Sequence, residues 1–326
     1  MKKIIGTFLE SIYRLCLNIS QNYYRKSSSR IRKVNARVIS VGNITWGGTG
    51  KTPLVIHLAQ ELAERGQKVA VLIRGYGRDE VVQLRKNLPG IPVIVGRDRI
   101  KSASEAVQKY QAQVILLDDG FQHIRLHRDL DIVTLNSTQP FGPGGLIPVG
   151  TLREPLEHLS RAGLFVLTKS DIGSKNIHWT RQKISSIKPD AVIYEATHKP
   201  VALSDRIKNR EVKPFDIRGK RLATLCGIGD PYSFEKTVEM LGSELVLAAR
   251  FDDHHVFARS EVRHFVQKAK KLGCREAVTT EKDWVRLEKM LKRGFEKELK
   301  DFTFWVLKIE FQINDEEDFI RRCVNS

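Results

Sequence analysis

The stretch Val38-Ile39-Ser40-Val41-Gly42-Asn43-Ile44-Thr45-Trp46-Gly47-Gly48-Thr49-Gly50-Lys51-Thr52-Pro53 decides how the rest of the chain is read. A short β-branched run enters a glycine-rich turn, and Gly-Lys-Thr then opens an amphipathic helical pattern over residues 54–64, closed by Gly66. That order of strand, loop and helix is a phosphate-binding loop. Small residues let successive backbone N–H groups point inward around an anion, and the helix N-terminus adds positive partial charge. Lys51 is placed to reach the β- and γ-phosphates, and the Thr52 hydroxyl to ligate magnesium. Thr45, Trp46, Gly47, Gly48, Thr49, Gly50, Lys51 and Thr52 are therefore the candidate nucleotide-binding residues. The general pattern asks for glycine where Thr45 stands. The alternative is a glycine-rich strand-to-helix turn with no ligand.

Outward from the loop, residues 68–73 and 92–95 read as strands and 100–110 as a helix. Val114-Ile115-Leu116-Leu117 then runs into Asp118-Asp119, four apolar residues closed by two carboxylates. A buried parallel strand delivers acids in this way to its carboxyl end, where open α/β sheets bind ligands. Strands at 131–135 and 164–168 continue the alternation, so the fold class is α/β with a doubly wound, mostly parallel sheet. Around 198–220 the pattern becomes polar, basic and proline-containing; beyond it a second βα series begins at 221. The expected division is an N-terminal amphipathic helix with a basic tail over 1–37, a P-loop domain over 38–200, a linker over 201–220 and a smaller α/β domain over 221–326.

The chain has 326 residues and a formal charge of +17, a surface that attracts nucleic acid, anionic lipid or phosphorylated substrates. Four scattered cysteines, without paired spacing, read as thiols and not as a disulfide frame or zinc ribbon. No run of 18 apolar residues exists that would span a membrane. Ile4, Ile5, Phe8, Leu9, Ile12, Leu15 and Ile19 recur near helical period, with Arg25, Lys26, Arg30, Arg32, Lys33 and Arg37 following. Stripe and tail suit a helix lying on an anionic membrane, or equally one packed on the protein body.

Asp118 and Asp119 are the expected partners of the loop: one carboxylate holds the magnesium shell, the other positions a water or a phosphoryl acceptor. His123 and His127 lie four apart and raise a zinc reading, but no third ligand is spaced to close a site. Asp252-Asp253-His254-His255 is a carboxylate and histidine cluster able to orient or abstract a proton. Thr168-Lys169-Ser170-Asp171, at a strand end, resembles the guanine-reading string of GTPases with Thr in place of Asn. Arg153-Glu154-Pro155 offers an arginine on a glycine- and proline-rich loop.

Taken in order, residues 42–53, Arg74-Gly75-Tyr76-Gly77, Asp118-Asp119-Gly120-Phe121-Gln122-His123, Leu152-Arg153-Glu154-Pro155, Asp253-His254 and Thr280-Glu281-Lys282-Asp283 resemble the tetraacyldisaccharide 4′-kinases, the lipid A 4′-kinases of Gram-negative bacteria. That family likewise departs from glycine at the position of Thr45. The resemblance implies a P-loop lipid kinase of two α/β/α domains, the second closing over the nucleotide. It implies attachment to the cytoplasmic face of the inner membrane through the N-terminal helix, peripheral or monotopic. It also implies transfer of the γ-phosphoryl of ATP, with Mg2+, to the 4′-hydroxyl of an acylated disaccharide 1-phosphate lipid, with no nucleic acid or protein partner. Lys51 would hold phosphates, Thr52 with Asp118 or Asp119 the metal, and Arg153 would neutralise the transferring group. The family's base and its histidine fall on Asp79 and His254. Here Arg78 and Val81 replace the glycine and proline that flank that base in the family, and a segment before it is missing; Asp119 or His254 would serve if Asp79 cannot reach. A membrane-associated GTPase or ATPase switch is the second reading, resting on residues 168–171, and a nucleic-acid-binding ATPase the third, resting on charge.

Overall fold

Strands covered by helices on both faces are buried at nearly every position, and the central strands of this chain are. The computed structural model describes residues 2–25, 30–75, 78–291, 295 and 299–325. The chain forms two compact units: Met1–Tyr76, Leu84–Thr197 and Phe311–Ser326 make the first, Gly77–Gln83 and His198–Glu310 the second.

The first unit contains β1 (Arg37–Gly42), β2 (Val69–Ile73), β3 (Val93–Val95), β4 (Val114–Asp118), β5 (Leu130–Asn136), β6 (Leu164–Thr168) and the start of β7 (Val192–Asp205). They stand in the order β3-β2-β4-β1-β5-β6-β7 and pair in parallel. Every residue of β2, β4, β5 and β6 is buried. Helices α1 (Lys2–Arg25), α2 (Lys51–Glu64), α4 (Arg99–Tyr110), α5 (Ser174–Ile187) and α9 (Glu316–Asn325) belong to this unit, and α3 (Arg78–Asn87) begins in the second unit and ends in the first. From β1 the chain crosses through α2 to β2 on one side, and β4 returns beside β1 before β5 is added on the other. The carboxyl ends of β1 and β4 therefore lie where the winding reverses, the place at which such sheets bind ligands.

In the second unit β10 (Glu244–Arg250), β9 (Arg221–Cys226), β11 (Glu276–Thr280) and the greater part of β12 (Thr303–Ile313) pair in parallel in that order. Helices α6 (Pro231–Met240), α7 (Arg259–Lys271) and α8 (Glu281–Leu291) complete it around a core that includes Trp284, Phe295, Phe302 and Phe304.

Two expected boundaries are corrected. Residues 201–220 are not a linker: β7 runs on to Asp205 and pairs antiparallel with β8 (Arg210–Val212), and a 3-10 turn follows at Pro214–Ile217. The reason is local, since the Asp205 carboxylate is buried and accepts from the N–H groups of Ile207 and Lys208, closing a tight polar turn that reads as loop composition. Residues 311–326 belong to the first unit, where Phe319, Ile320 and Cys323 of α9 are buried. Glu316 there meets His57 at 2.6 Å, and Glu317 pairs with Arg65.

Gly42 ends β1 where a side chain has no room, because an added Cβ would fall 2.5 Å from the Phe121 Cβ and 2.7 Å from its backbone nitrogen. Gly42→Ala is expected to lower unfolding free energy by about 1–3 kcal/mol, read by denaturant titration.

Candidate functional site

The chain leaves β1 at Gly42 and returns to regular structure at Lys51, and buried polar side chains shape the loop between. Asn43, fully buried, donates to the Thr45 carbonyl at 2.7 Å and to the Thr49 hydroxyl at 2.9 Å. The Thr49 hydroxyl also meets Thr134 at 3.0 Å, and Thr134 donates to the Gly42 carbonyl. From outside, Trp46 N–H donates to the Thr151 carbonyl and Arg153 N–H to the Ile44 carbonyl, both at 2.7 Å. Gly50 has φ 81°, a left-handed turn that glycine adopts without strain. α2 then begins with no side-chain cap, whereas α4 and α6 are capped by Asp98 and Asp230. Its first N–H groups are the donors such a loop offers to phosphate.

The two acids at the end of β4 diverge. Asp118 faces Thr52, with 3.5 Å between carboxylate and hydroxyl oxygens. Asp119 has φ 55°, uncommon for a residue other than glycine, and turns the other way, to Arg153 at 2.7 Å and the Lys51 ammonium at 3.7 Å. Burial alone pushes the Asp119 carboxyl up; Lys51 and Arg153 together outweigh it and hold the group below the ordinary carboxylate range. Arg153 also donates to Asn43 Oδ1 at 3.2 Å. Glu154 faces away, into a buried cluster with His158 and Arg161 at 2.8 and 2.9 Å. Thr52 and Asp118 form an all-oxygen pair on two elements, a donor set that fits a hard divalent cation. The zinc reading finds no such set: His127 pairs with Asp129, and His123 lies among Arg99, Arg128 and Arg125, which repel a cation.

In the second unit His254 lies in the turn after β10 at φ 64°. Its N–H donates to the Gly227 carbonyl, Gly227 N–H donates to the Asp283 carboxylate at 2.9 Å, and Arg286 donates to both the Gly227 carbonyl and Asp283. Asp283 is fully buried, and that burial pushes its carboxyl up against the opposing pull of Thr280, Arg286 and the Gly227 N–H. His254 Nε2 stands 3.7 Å from the Glu80 carboxylate and 3.4 Å from the Lys282 ammonium. The side chain of Asp79 lies outside the described residues.

Residues 3–325 match the family of tetraacyldisaccharide-1-P 4′-kinases. The chain is 38% identical to the tetraacyldisaccharide 4′-kinase of Halothermothrix orenii over 87% of its own length and 83% of the relative's. It is 35% identical to that of Elusimicrobium minutum over 92% and 83%. A crystal structure of LpxK from Aquifex aeolicus, an "apo" form in complex with ATP, superposes with a TM-score of 0.69 at 26% identity, covering 98% of each chain.

The chain belongs to the tetraacyldisaccharide-1-phosphate 4′-kinase family.

Within this kinase Thr168 and Lys169, the first half of the string that resembles a guanine reader, face the phosphate loop: Thr168 donates to the Thr49 carbonyl at 3.0 Å and Lys169 to the Gly48 carbonyl at 3.1 Å. Sequence reasoning also missed Arg99, buried in the first turn of α4, which donates to the Asp118 carbonyl at 2.8 Å. An arginine one residue after a capping aspartate carries no distinctive spacing, so nothing in the sequence marked it. α1 docks one face on the loops beside the kinase site. Glu10 accepts from Leu146 N–H, Tyr13 donates to the Arg153 carbonyl and Gln21 to Glu154. Phe8, Ile12, Leu15 and Ile19, on another face, are 44–65% exposed. No helix among the described residues is long and apolar enough to cross a membrane.

Burial, with Arg99 and Arg128 adding to it, pushes the His123 imidazole down from 6.5 to about 4. The unfolded chain takes up this proton near pH 6.5 and the folded chain only near pH 4, so stability falls as pH falls through that window. In thermal melts across it, wild type is expected to lose stability more steeply than His123→Gln.

Proposed function

We propose that the site transfers the γ-phosphoryl group of ATP to the 4′-hydroxyl of a tetraacylated disaccharide 1-phosphate in lipid A biosynthesis, in line and without a covalent enzyme intermediate. The observation that carries this reading is the convergence of Lys51, Thr52, Asp118, Asp119 and Arg153 at the carboxyl ends of β1 and β4, in a chain of this kinase family.

The loop N–H groups and Lys51 bind the β- and γ-phosphates. Lys51 and Arg153 both rest on Asp119, so two cations are held ready beside the phosphate loop without large reorganisation when negative charge moves toward the leaving group. Thr52 and Asp118 would hold Mg2+, which when bound screens the charge between the β- and γ-phosphates. Asp119 is the poorer candidate for a proton acceptor, because a carboxyl held below its ordinary range binds a proton weakly at neutral pH. The acceptor hydroxyl's proton is assigned to Asp79, with His254 as the supporting group. Glu80 and Lys282 beside His254 orient its ring, and the hydrogen bond from His254 N–H to Gly227 fixes its turn.

α1 supports a membrane role on the cytoplasmic face of the inner membrane. Its Phe8, Ile12, Leu15 and Ile19 stripe is exposed, its other face is docked, and Arg30, Arg32 and Lys33 follow. Such a helix lies in the headgroup region with basic residues toward anionic lipid. The switch reading is not favoured, because the chain matches the kinase family over residues 3–325 and its curated relatives are tetraacyldisaccharide 4′-kinases.

Labelled γ-phosphate from ATP should appear in tetraacyldisaccharide 1-phosphate in detergent micelles with Mg2+, and Lys51→Ala should abolish this; label found only as inorganic phosphate would restore the switch reading. Asp79→Ala should lose at least about 100-fold in turnover with nucleotide binding intact, and near-normal turnover would refute the base assignment. Leu15→Ser with Ile19→Ser should reduce co-sedimentation with phosphatidylglycerol vesicles without changing the melting temperature; unchanged sedimentation would remove α1 from the membrane role.

A further inference from the structure

A loop that turns its N–H groups toward a phosphate must turn carbonyls away from it, and carbonyls turned into a protein interior need donors. Gly48 and Thr49 are the residues at which this matters here. Their carbonyls meet two consecutive side chains from the end of β6: the Thr168 hydroxyl at 3.0 Å from the Thr49 oxygen, and the Lys169 ammonium at 3.1 Å from the Gly48 oxygen. Thr168 is fully buried and Lys169 is 7% exposed.

Consecutive residues of a strand point to opposite faces, so two neighbours reaching the same loop requires a break in the strand. The break is present. Lys169 has φ 54°, and its carbonyl accepts from Gly173 N–H at 2.9 Å, closing a tight turn directly after β6. A left-handed backbone at lysine and a nearly buried ammonium both cost free energy, and the surroundings over-determine both. Gly173 packs so close that an added Cβ would fall 2.2 Å from the Ser137 carbonyl carbon. Ser137 N–H in turn donates to the Thr168 carbonyl at 2.9 Å.

We propose that Thr168 and Lys169 are positioning residues for nucleotide binding. They hold the Gly48 and Thr49 carbonyls away from the anion, so that the loop is set for phosphate before nucleotide arrives, and the ammonium adds positive charge behind it. The pair acts on the phosphate end of the nucleotide and leaves the choice of base unaffected. This rests on the kinase reading above, and it deepens that reading by assigning nucleotide affinity to residues outside the loop motif.

The experiment measures ATP and GTP dissociation constants by displacement of a fluorescent nucleotide with no lipid acceptor present, and ATP KM and kcat separately with acceptor. Lys169→Met is expected to weaken ATP binding about 10- to 100-fold and to raise KM far more than it lowers kcat. The ATP-to-GTP ratio and the melting temperature should stay near wild type, and Lys169→Arg should restore most of the affinity. If Lys169→Met does not fold, Thr168→Val provides the same readout with a smaller loss. Wild-type affinity in both variants overturns the proposal, as does a shift in ATP-to-GTP ratio, which would make the string a base reader. Loss of affinity that tracks loss of melting temperature and is not restored by arginine also overturns it. Failure of the kinase reading looks different: wild type would bind nucleotide and transfer nothing.

Discussion

Asn43 is the residue on which the phosphate loop turns. With no exposure to solvent, its amide must be satisfied internally, and it is satisfied by the Thr45 carbonyl and the Thr49 hydroxyl, two points on the loop it precedes. The Arg153 guanidinium meets the Asn43 side-chain carbonyl, and Gln122 donates to its backbone carbonyl at 2.8 Å. One buried amide thus joins β1, the loop, the turn after β4 and the loop that carries Arg153. Replacing any of these partners would leave a polar group unpaired in the interior, which costs more than the bond itself contributes.

Charge is organised around that frame. The +17 of the whole chain says only that anionic partners are favoured. The local arrangement is more specific, because the single Asp119 carboxylate lies between Lys51 and Arg153 and keeps both at the loop with positive charge in excess. A site built this way presents positive charge to phosphate without leaving two cations in unrelieved repulsion. Glu154, one residue along from Arg153, does the opposite task on the other side of the chain, binding Arg161 and His158 in the interior and giving Gln21 of α1 a docking point. The single string Arg153-Glu154 therefore links the phosphate site to the helix that presents the apolar stripe.

Much of this was legible in the residues. The phosphate loop, the acids closing β4 and the alternation of strands and helices all announce themselves locally, through spacing and hydrophobic period. The hairpin over 203–212 and helix α9 did not. The first hides its pairing behind a polar turn closed by Asp205, and the second packs on α2 through His57, Glu316, Arg65 and Glu317, residues far apart in sequence.

The chain's sequence alone determined the family and the fold class and marked the candidate phosphate-binding residues, because short-range geometry dictates which residue types can wrap an anion or end a buried strand. It could not separate Asp118 from Asp119, nor say what Thr168-Lys169 is for. The positions of these side chains are set by tertiary structure: a left-handed residue at Asp119 sends adjacent carboxylates to different partners, and another at Lys169 brings a strand end under the phosphate loop. Backbone reversals of this kind depend on the packing around them, and a non-glycine residue carries no local mark that it will adopt one.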